Sequence, residues 1–190
     1  MAEAFQPGGR APAPPPLDLV QDFVNTEIPD WQRDDLATPE ALERWLARRG
    51  LLELSDAVDR KTFAVAHALR SALRELALAN TLGGLPDERR DAVDASFAAL
   101  PLVVRLSGPA PSLAPAGDGA ARGLARLAAI VVEAQAAGIW PRMKACRQET
   151  CGWVFYDGSR NRSSSWCSMQ ICGGREKARA YRRRHAAEAR

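Results

Sequence analysis

The chain has 190 residues, of which 46% are hydrophobic and 26% charged, a profile typical of a soluble globular protein. No apolar run reaches the roughly 18 residues of a membrane span, and the N-terminal segment lacks the apolar stretch of a secretory signal. We therefore expect a cytoplasmic protein with no membrane partner. The net charge of +3 is unevenly divided: residues 142–190 carry 12 lysines and arginines against 4 acidic residues (net +8), and residues 1–141 carry 14 against 19 (net −5). Such a basic C-terminal part suggests a polyanionic partner.

Composition and periodicity divide the chain into three parts. Residues 1–16 are rich in proline and alanine and cannot bury enough apolar surface to offset the entropy of ordering, so we predict a disordered arm there. Residues 17–141, the body, carry apolar stripes at helical spacing and should fold without the rest of the chain. Residues 142–190 form a separate cysteine module that contains every cysteine in the chain.

The body is predicted to be an α+β domain, mostly helical with a little strand. The helices are marked by capping residues, apolar stripes and glycine stops. A β-branched run indicates one strand, and the Ser, Pro and Gly that follow indicate a loop. The predicted helices cover approximately residues 19–24, 38–50, 59–80, 87–97 and 120–137, and a strand is the alternative for the first of them. The predicted strand covers 101–106, and the loop covers 107–119.

Four cysteines lie in two local pairs with the spacing C-x4-C-x15-C-x4-C. They are Cys146, Cys151, Cys167 and Cys172. Four thiolates satisfy the tetrahedral preference of zinc and leave no open position, so the pattern favours one structural zinc ion. Two disulfides would use the same even count but need an oxidising compartment. Free thiols are the other alternative, although the spacing is not the C-x-x-C of disulfide oxidoreductases.

The segment between the cysteine pairs is aromatic at first and polar afterwards. Residues 152–156 indicate a strand, and Asp157-Gly158 is a strong turn signal. We predict a hairpin between the two pairs, with a small core of aromatic rings and with Arg160 and Arg162 at its tip.

A basic helix is predicted to follow the last cysteine, where residues 175–185 read REKARAYRRRH. Helical spacing places Arg175, Arg179 and Arg182 on one face. Arginine forks match phosphate oxygens, so we predict nucleic-acid contacts. The predicted contact residues are Arg160, Arg162, Arg175, Lys177, Arg179, Arg182 and Arg183. The alternative is a solvated helix that packs on the acidic body.

No catalytic constellation is visible in the sequence. The two histidines, His67 and His185, lie far apart, and no nucleophile elbow or phosphate-binding glycine loop is present. We expect that the protein is not an enzyme and that His67 has a structural role.

Residues 146–179 resemble the CGNR zinc finger found at the C-terminus of bacterial proteins that carry an ABATE domain. The resemblance rests on Cys151-Gly152-Trp153, Phe155-Tyr156-Asp157, Ser159-Arg160-Asn161, Trp166-Cys167-Ser168-Met169 and Cys172-Gly173-Gly174-Arg175. It extends more weakly to Phe23-Val24-Asn25-Thr26 and to the helix that carries Leu69-Arg70. Two departures are Gly174 in place of the family asparagine, and Ser164-Ser165 in place of a basic pair. The resemblance implies a bound zinc ion and a stress-induced transcription regulator.

Taken together, these features predict a zinc-dependent transcription regulator that binds DNA through its cysteine module. The body would then sense a small ligand or a protein partner. The alternative is a zinc-stabilised protein-interaction module that binds no nucleic acid. In a third hypothesis, Trp153, Phe155 and Tyr156 stack on RNA bases, which requires exposed rings.

Overall fold

The computed structural model describes residues 6–53, 56–108 and 110–188, for the last three of which only the backbone is described. The helices of the body are α1 (Leu17–Val24), α2 (Pro39–Arg48), α3 (Arg60–Leu82), α4 (Asp87–Ala98) and α5 (Gly119–Ala136). Local sequence sets their ends. Thr38 Oγ1 accepts a hydrogen bond from the Ala41 amide at the start of α2, and Gly83 ends α3 with a φ of 95°. The mostly helical architecture predicted for the body is confirmed.

The strands form three antiparallel pairs, each of two strands. In the body, β1 (Glu27–Ile28) pairs with β2 (Arg33–Asp34), and β3 (Leu102–Arg105) pairs with β4 (Ser112–Pro115). The prediction of a strand over residues 101–106 is confirmed for its central part, but the predicted loop over 107–119 contains β4. The composition of residues 112–115 does not indicate a strand, because their β-propensity is low. Backbone pairing with β3 and packing on α5 hold β4 in place instead.

The main hydrophobic core crosses the boundary between the body and the cysteine module. Phe23, Leu69 and Leu124 are fully buried in it, and Met143 and Val154 from the module belong to the same cluster. Both module side chains are at most 1% exposed. The apolar stripes predicted for the body are therefore completed by the module, and independent folding of the body stays a prediction.

The arm is folded against the rest of the protein in its described part, residues 6–16. Pro7 and Ala13 are buried, and the Ala13 amide donates a 2.7 Å hydrogen bond to Oε1 of Gln21. The prediction of a disordered arm is wrong for these residues. Their tertiary contacts offset the entropy cost of ordering, and such contacts cannot be inferred from composition. Residues 1–5 lie outside the described part of the chain.

The cysteine module is built from a third strand pair and a helix. Strand β5 (Met143–Ala145) pairs with β6 (Val154–Tyr156), and α6 (Gly174–Glu188) follows the last cysteine. The turn of this hairpin contains Cys146 and Cys151, so the prediction of a hairpin between the two cysteine pairs, which turns at Asp157-Gly158, is wrong. Arg160 and Arg162 lie instead in the loop after β6. The strand that pairs with β6 is β5, which precedes the first cysteine and carries no local strand signal.

Candidate metal centre and basic surface

The first cysteine pair lies in the tight connection between β5 and β6. The Cys146 amide donates to the Trp153 carbonyl at 2.9 Å, and the Cys151 amide donates to the Gln148 carbonyl at 2.9 Å. Gly152 adopts a φ of 61°, a conformation that side-chain-bearing residues rarely adopt. These contacts close the connection between β5 and β6, which keeps the two cysteines of the pair near each other.

The second cysteine pair frames the turn that leads into α6. Ser168 lies just after Cys167, and its hydroxyl accepts a hydrogen bond from the Ile171 amide at 3.3 Å. The Gly173 amide donates to the Ser168 carbonyl at 3.0 Å. The chain therefore turns tightly between Cys167 and Cys172, and α6 begins two residues after the second thiol.

The four thiols converge on one buried point. Their sulfur atoms all lie within 4.8 Å of one another, with Cys151 and Cys167 3.7 Å apart and Cys167 and Cys172 3.6 Å apart. Zinc–sulfur bonds of about 2.3 Å in a tetrahedron place the sulfurs about 3.8 Å apart, so the cluster fits one zinc ion. All four cysteines are free thiols, and these separations far exceed the roughly 2.0 Å of a disulfide.

The electrostatics of the cluster also favour a bound cation. Hydrogen bonds from Cys151 and Cys167 lower the pKa of Cys146. The pKa values of Cys151 and Cys167 are raised, first because each is hydrogen-bonded to the Cys146 sulfur. Burial raises the pKa of Cys172. A second thiolate is thus disfavoured beside the first, and a divalent cation removes that repulsion.

Aromatic and aliphatic side chains surround the thiols, as the sequence predicted. Ile28 of the body packs with Trp153 and Phe155 against the four cysteines, and Trp166 covers them. Trp153 is 6% exposed and Phe155 is fully buried. The hypothesis of RNA bases stacked on these rings is therefore wrong, because two of the three rings face the core of the module.

A buried ion pair that sequence reasoning missed holds the loop after β6. The ammonium of Lys144 donates to a carboxylate oxygen of Asp157 at 3.1 Å and to the carbonyls of Arg162 and Ser164. Asp157 also accepts from the amides and hydroxyls of Ser159 and Ser164. Although burial opposes the shift, these bonds hold the pKa of Asp157 well below its usual range. The loop that carries Arg160 and Arg162 is thus fixed from inside.

Polar side chains of the body bind the backbone of the cysteine module. The Asn25 amide group donates to the Val154 carbonyl and accepts from the Val154 amide, both at 2.8 Å. Arg74 donates to the Gly152 carbonyl at 3.1 Å and to Glu27 at 2.5 Å. The weak N-terminal motif around Asn25 therefore has a structural role, since it joins α1 to β6. Local spacing in the sequence could not predict this contact, because Asn25 and Val154 lie 129 residues apart.

The buried guanidinium of Arg70 organises the adjoining part of the body. It donates to both carboxylate oxygens of Asp34 at 2.7 Å and to Nδ1 of His67 at 3.1 Å. The other ring nitrogen of His67 lies 3.1 Å from the Leu36 carbonyl. His67 is therefore hydrogen-bonded on both sides within a structural network, as predicted.

Three of the seven predicted nucleic-acid residues have protein partners. Arg175 forms a 2.5 Å ion pair with Asp30 of the body, Arg179 donates to Gln148 at 3.1 Å, and Arg183 pairs with Glu176 at 2.8 Å. The face expected to carry Arg175, Arg179 and Arg182 together is thus partly turned toward the protein.

The other four predicted residues are exposed and unengaged. Arg160, Arg162, Lys177 and Arg182 form no side-chain hydrogen bond or ion pair with any residue in the described part of the chain. Helical spacing sets Lys177 close to Arg184, a residue that the sequence prediction did not include. The exposed Tyr181 lies on the same outward side.

Comparison with known families gives matches over both parts of the chain. Residues 17–138 match the ABATE model, described as “Putative stress-induced transcription regulator”, and residues 142–185 match the CGNR zinc finger. The first match covers more than half of the chain. No protein with a curated description matches the chain. Among the described residues, no helix has the length and apolar character needed to cross a membrane.

Proposed function

The chain belongs to the ABATE family and ends in a CGNR zinc finger, and from that membership we propose that it is a transcription regulator whose finger binds DNA. The observation that carries this proposal is the set of exposed, unengaged cations on the cysteine module. Their charges are not neutralised by any described carboxylate, whereas phosphates along a duplex would neutralise them.

The strongest candidates for phosphate contacts are Lys177, Arg182 and Arg184 on α6, together with Arg160 and Arg162 on the preceding loop. The loop is held by the Lys144–Asp157 pair, so its two arginines project from a fixed backbone. Each phosphate that a cation contacts releases a condensed counterion, and this release drives binding at low salt.

Arg175, Arg179 and Arg183 have a secondary part in this proposal. The Arg175–Asp30 and Arg183–Glu176 ion pairs lie at the surface, where such pairs contribute at most about 1 kcal/mol, whereas Gln148, the partner of Arg179, is buried. A phosphate can replace the two carboxylate partners at low cost. Before DNA binds, the Arg175–Asp30 pair orients α6 on the body.

Zinc has a structural role in this scheme. Cys146, Cys151, Cys167 and Cys172 would fill all four coordination positions, so the ion supplies fold stability and no open site for chemistry. The thiols must stay reduced to bind the metal, which supports a reducing compartment such as the cytoplasm. We propose no catalytic role. The small ligand or protein partner of the body stays a prediction.

Fluorescence anisotropy with labelled duplex DNA tests the proposal. The zinc-loaded protein is titrated at two salt concentrations and compared with two double variants. Lys177→Ala/Arg184→Ala removes exposed charges of α6, and Arg44→Ala/Arg48→Ala removes the same charge from the exposed face of α2. We expect the first variant to bind more weakly and to reduce the salt slope by about 2, because each lost phosphate contact removes about 0.9.

The control variant should bind as the wild type does. If the metal-loaded wild type binds no duplex at low salt, the DNA proposal is wrong and the protein-interaction module is the better hypothesis. If both double variants lose affinity equally, binding follows overall charge rather than α6.

A further inference from the structure

Residues 6–10 of the arm lie directly against the turn that carries the second cysteine pair, Cys167 and Cys172. The Arg10 guanidinium donates through Nε to the Cys167 carbonyl at 2.8 Å and through Nη2 to the Trp166 carbonyl at 3.0 Å. Its central carbon also lies 4.5 Å from the ring centre of Phe155. One side chain from the start of the chain thus contacts a cysteine residue and the aromatic core around the thiols.

The backbone of the arm fits closely at the same place. Gly8 has a φ of 72°, and a Cβ atom there would lie 2.9 Å from the Ser168 hydroxyl oxygen. Ser168 is the residue that caps the turn between the last two cysteines. Only a residue without a side chain allows this approach, so the contact is specific in shape as well as in hydrogen bonding.

Gln21 of α1 holds the arm at two points, one on each side of Arg10. Its Oε1 accepts from the Ala13 amide at 2.7 Å, and its Nε2 donates to Gln6 Oε1 at 3.0 Å. The Gln21 side chain is fully buried and also reaches the Val154 carbonyl in β6, at 3.3 Å. Arg10 is therefore presented to the cysteine turn from a segment held at two points.

We propose that residues 6–10 are a structural part of the zinc finger and that Arg10 positions Cys167 for the metal. The inference rests on the four-cysteine zinc site. Hydrogen bonds behind a ligand residue fix the direction of its donor atom, and losing such a partner typically weakens metal affinity 10- to 100-fold. Without Arg10, the Trp166 and Cys167 carbonyls lose a charged donor, and the turn carrying Cys167 loses its outer support.

The test measures zinc release from the full-length, zinc-loaded protein into an excess of a colour-forming chelator. Arg10→Ala should release zinc about tenfold faster than the wild type, at the lower end of the range for outer partners of a metal site. Arg48→Ala is the matched control, since this exposed arginine has no hydrogen bond or ion pair within the described chain. Arg10→Lys keeps the charge with fewer donors and should give an intermediate rate.

A glycine pair tests the same contact without removing a charge. Gly8→Ala should accelerate release because the new methyl group meets Ser168. Gly9→Ala should not, since Gly9 has a similar φ of 66° but no atom within 4 Å of its Cβ position. The visible ligand-field bands of the cobalt-substituted protein should shift in Arg10→Ala and Gly8→Ala and stay unchanged in both controls.

Two outcomes separate this inference from the zinc site itself. If the wild type retains no zinc or cobalt, the metal site and the inference are both wrong. If the wild type retains the metal, but Arg10→Ala and Gly8→Ala release it within twofold of their controls, the arm does not position Cys167 and the zinc site stands.

Discussion

Replacing Met143 is the most direct test of the hydrophobic core that the body shares with the cysteine module. Met143 is fully buried in the main cluster, although it belongs to the first strand of the cysteine module. Replacing a buried methionine by alanine removes its apolar contacts and leaves a cavity, at a cost of about 2–5 kcal/mol. We expect Met143→Ala to destabilise the whole protein by about 3 kcal/mol, a large share of the roughly 5–15 kcal/mol that is typical of native proteins.

The assay is urea unfolding at saturating zinc, followed by far-UV circular dichroism. With a slope of about 2 kcal/mol per molar urea, the midpoint should fall by about 1.5 M. Met169→Ala is the control, because Met169 lies in the same module but is 53% exposed, and its replacement should cost less than about 0.5 kcal/mol. Equal midpoints for the two variants, or separate transitions for body and module, would refute the shared core.

Three further substitutions test contacts around this core. Arg70→Ala should cost about 3 kcal/mol, since it leaves the Asp34 carboxylate without its paired guanidinium; an unchanged thermal midpoint relative to Arg44→Ala would contradict this. Hydrogen bonding to Arg70 lowers the pKa of Asp34. Asp34→Asn should therefore have a lower free energy of unfolding than the wild type, by a difference that is full above about pH 4 and shrinks as the pH falls through the lowered pKa. A difference that stays constant in an acid denaturation series would count against this pair. Gly152→Ala should cost about 2 kcal/mol, because its φ is 61° and its Cβ position lies 3.3 Å from Pro29; Gly158→Ala, with nothing within 4 Å, should be neutral in the same calorimetric scan.

Local signals in the sequence were sufficient to predict the helices and the thiol cluster. Asp59 marks the start of α3, where its carboxylate accepts from the Thr62 amide at 2.7 Å, and Gly83 marks its end. The paired cysteine spacing led to a convergent site because each pair is closed by a short turn. In both cases the determining contacts lie within a few residues of one another.

Long-range contacts account for what could not be predicted. Arg10 anchors the arm through partners that lie more than 150 residues away in the sequence. Amino-acid composition carries no information about such contacts. Strand β5 has no local strand signal and is defined by its pairing with β6. Likewise, the Arg175–Asp30 pair could not be inferred from helical spacing, since the position of Asp30 depends on the packing of the body.

Native mass spectrometry of the reduced, full-length protein tests most directly whether the four thiols hold a metal. We expect one zinc ion per wild-type chain and none in Cys167→Ser, in which the tetrahedral set is incomplete. A metal-free wild type after incubation with zinc would contradict the structural zinc site, as would a mass lowered by two disulfides.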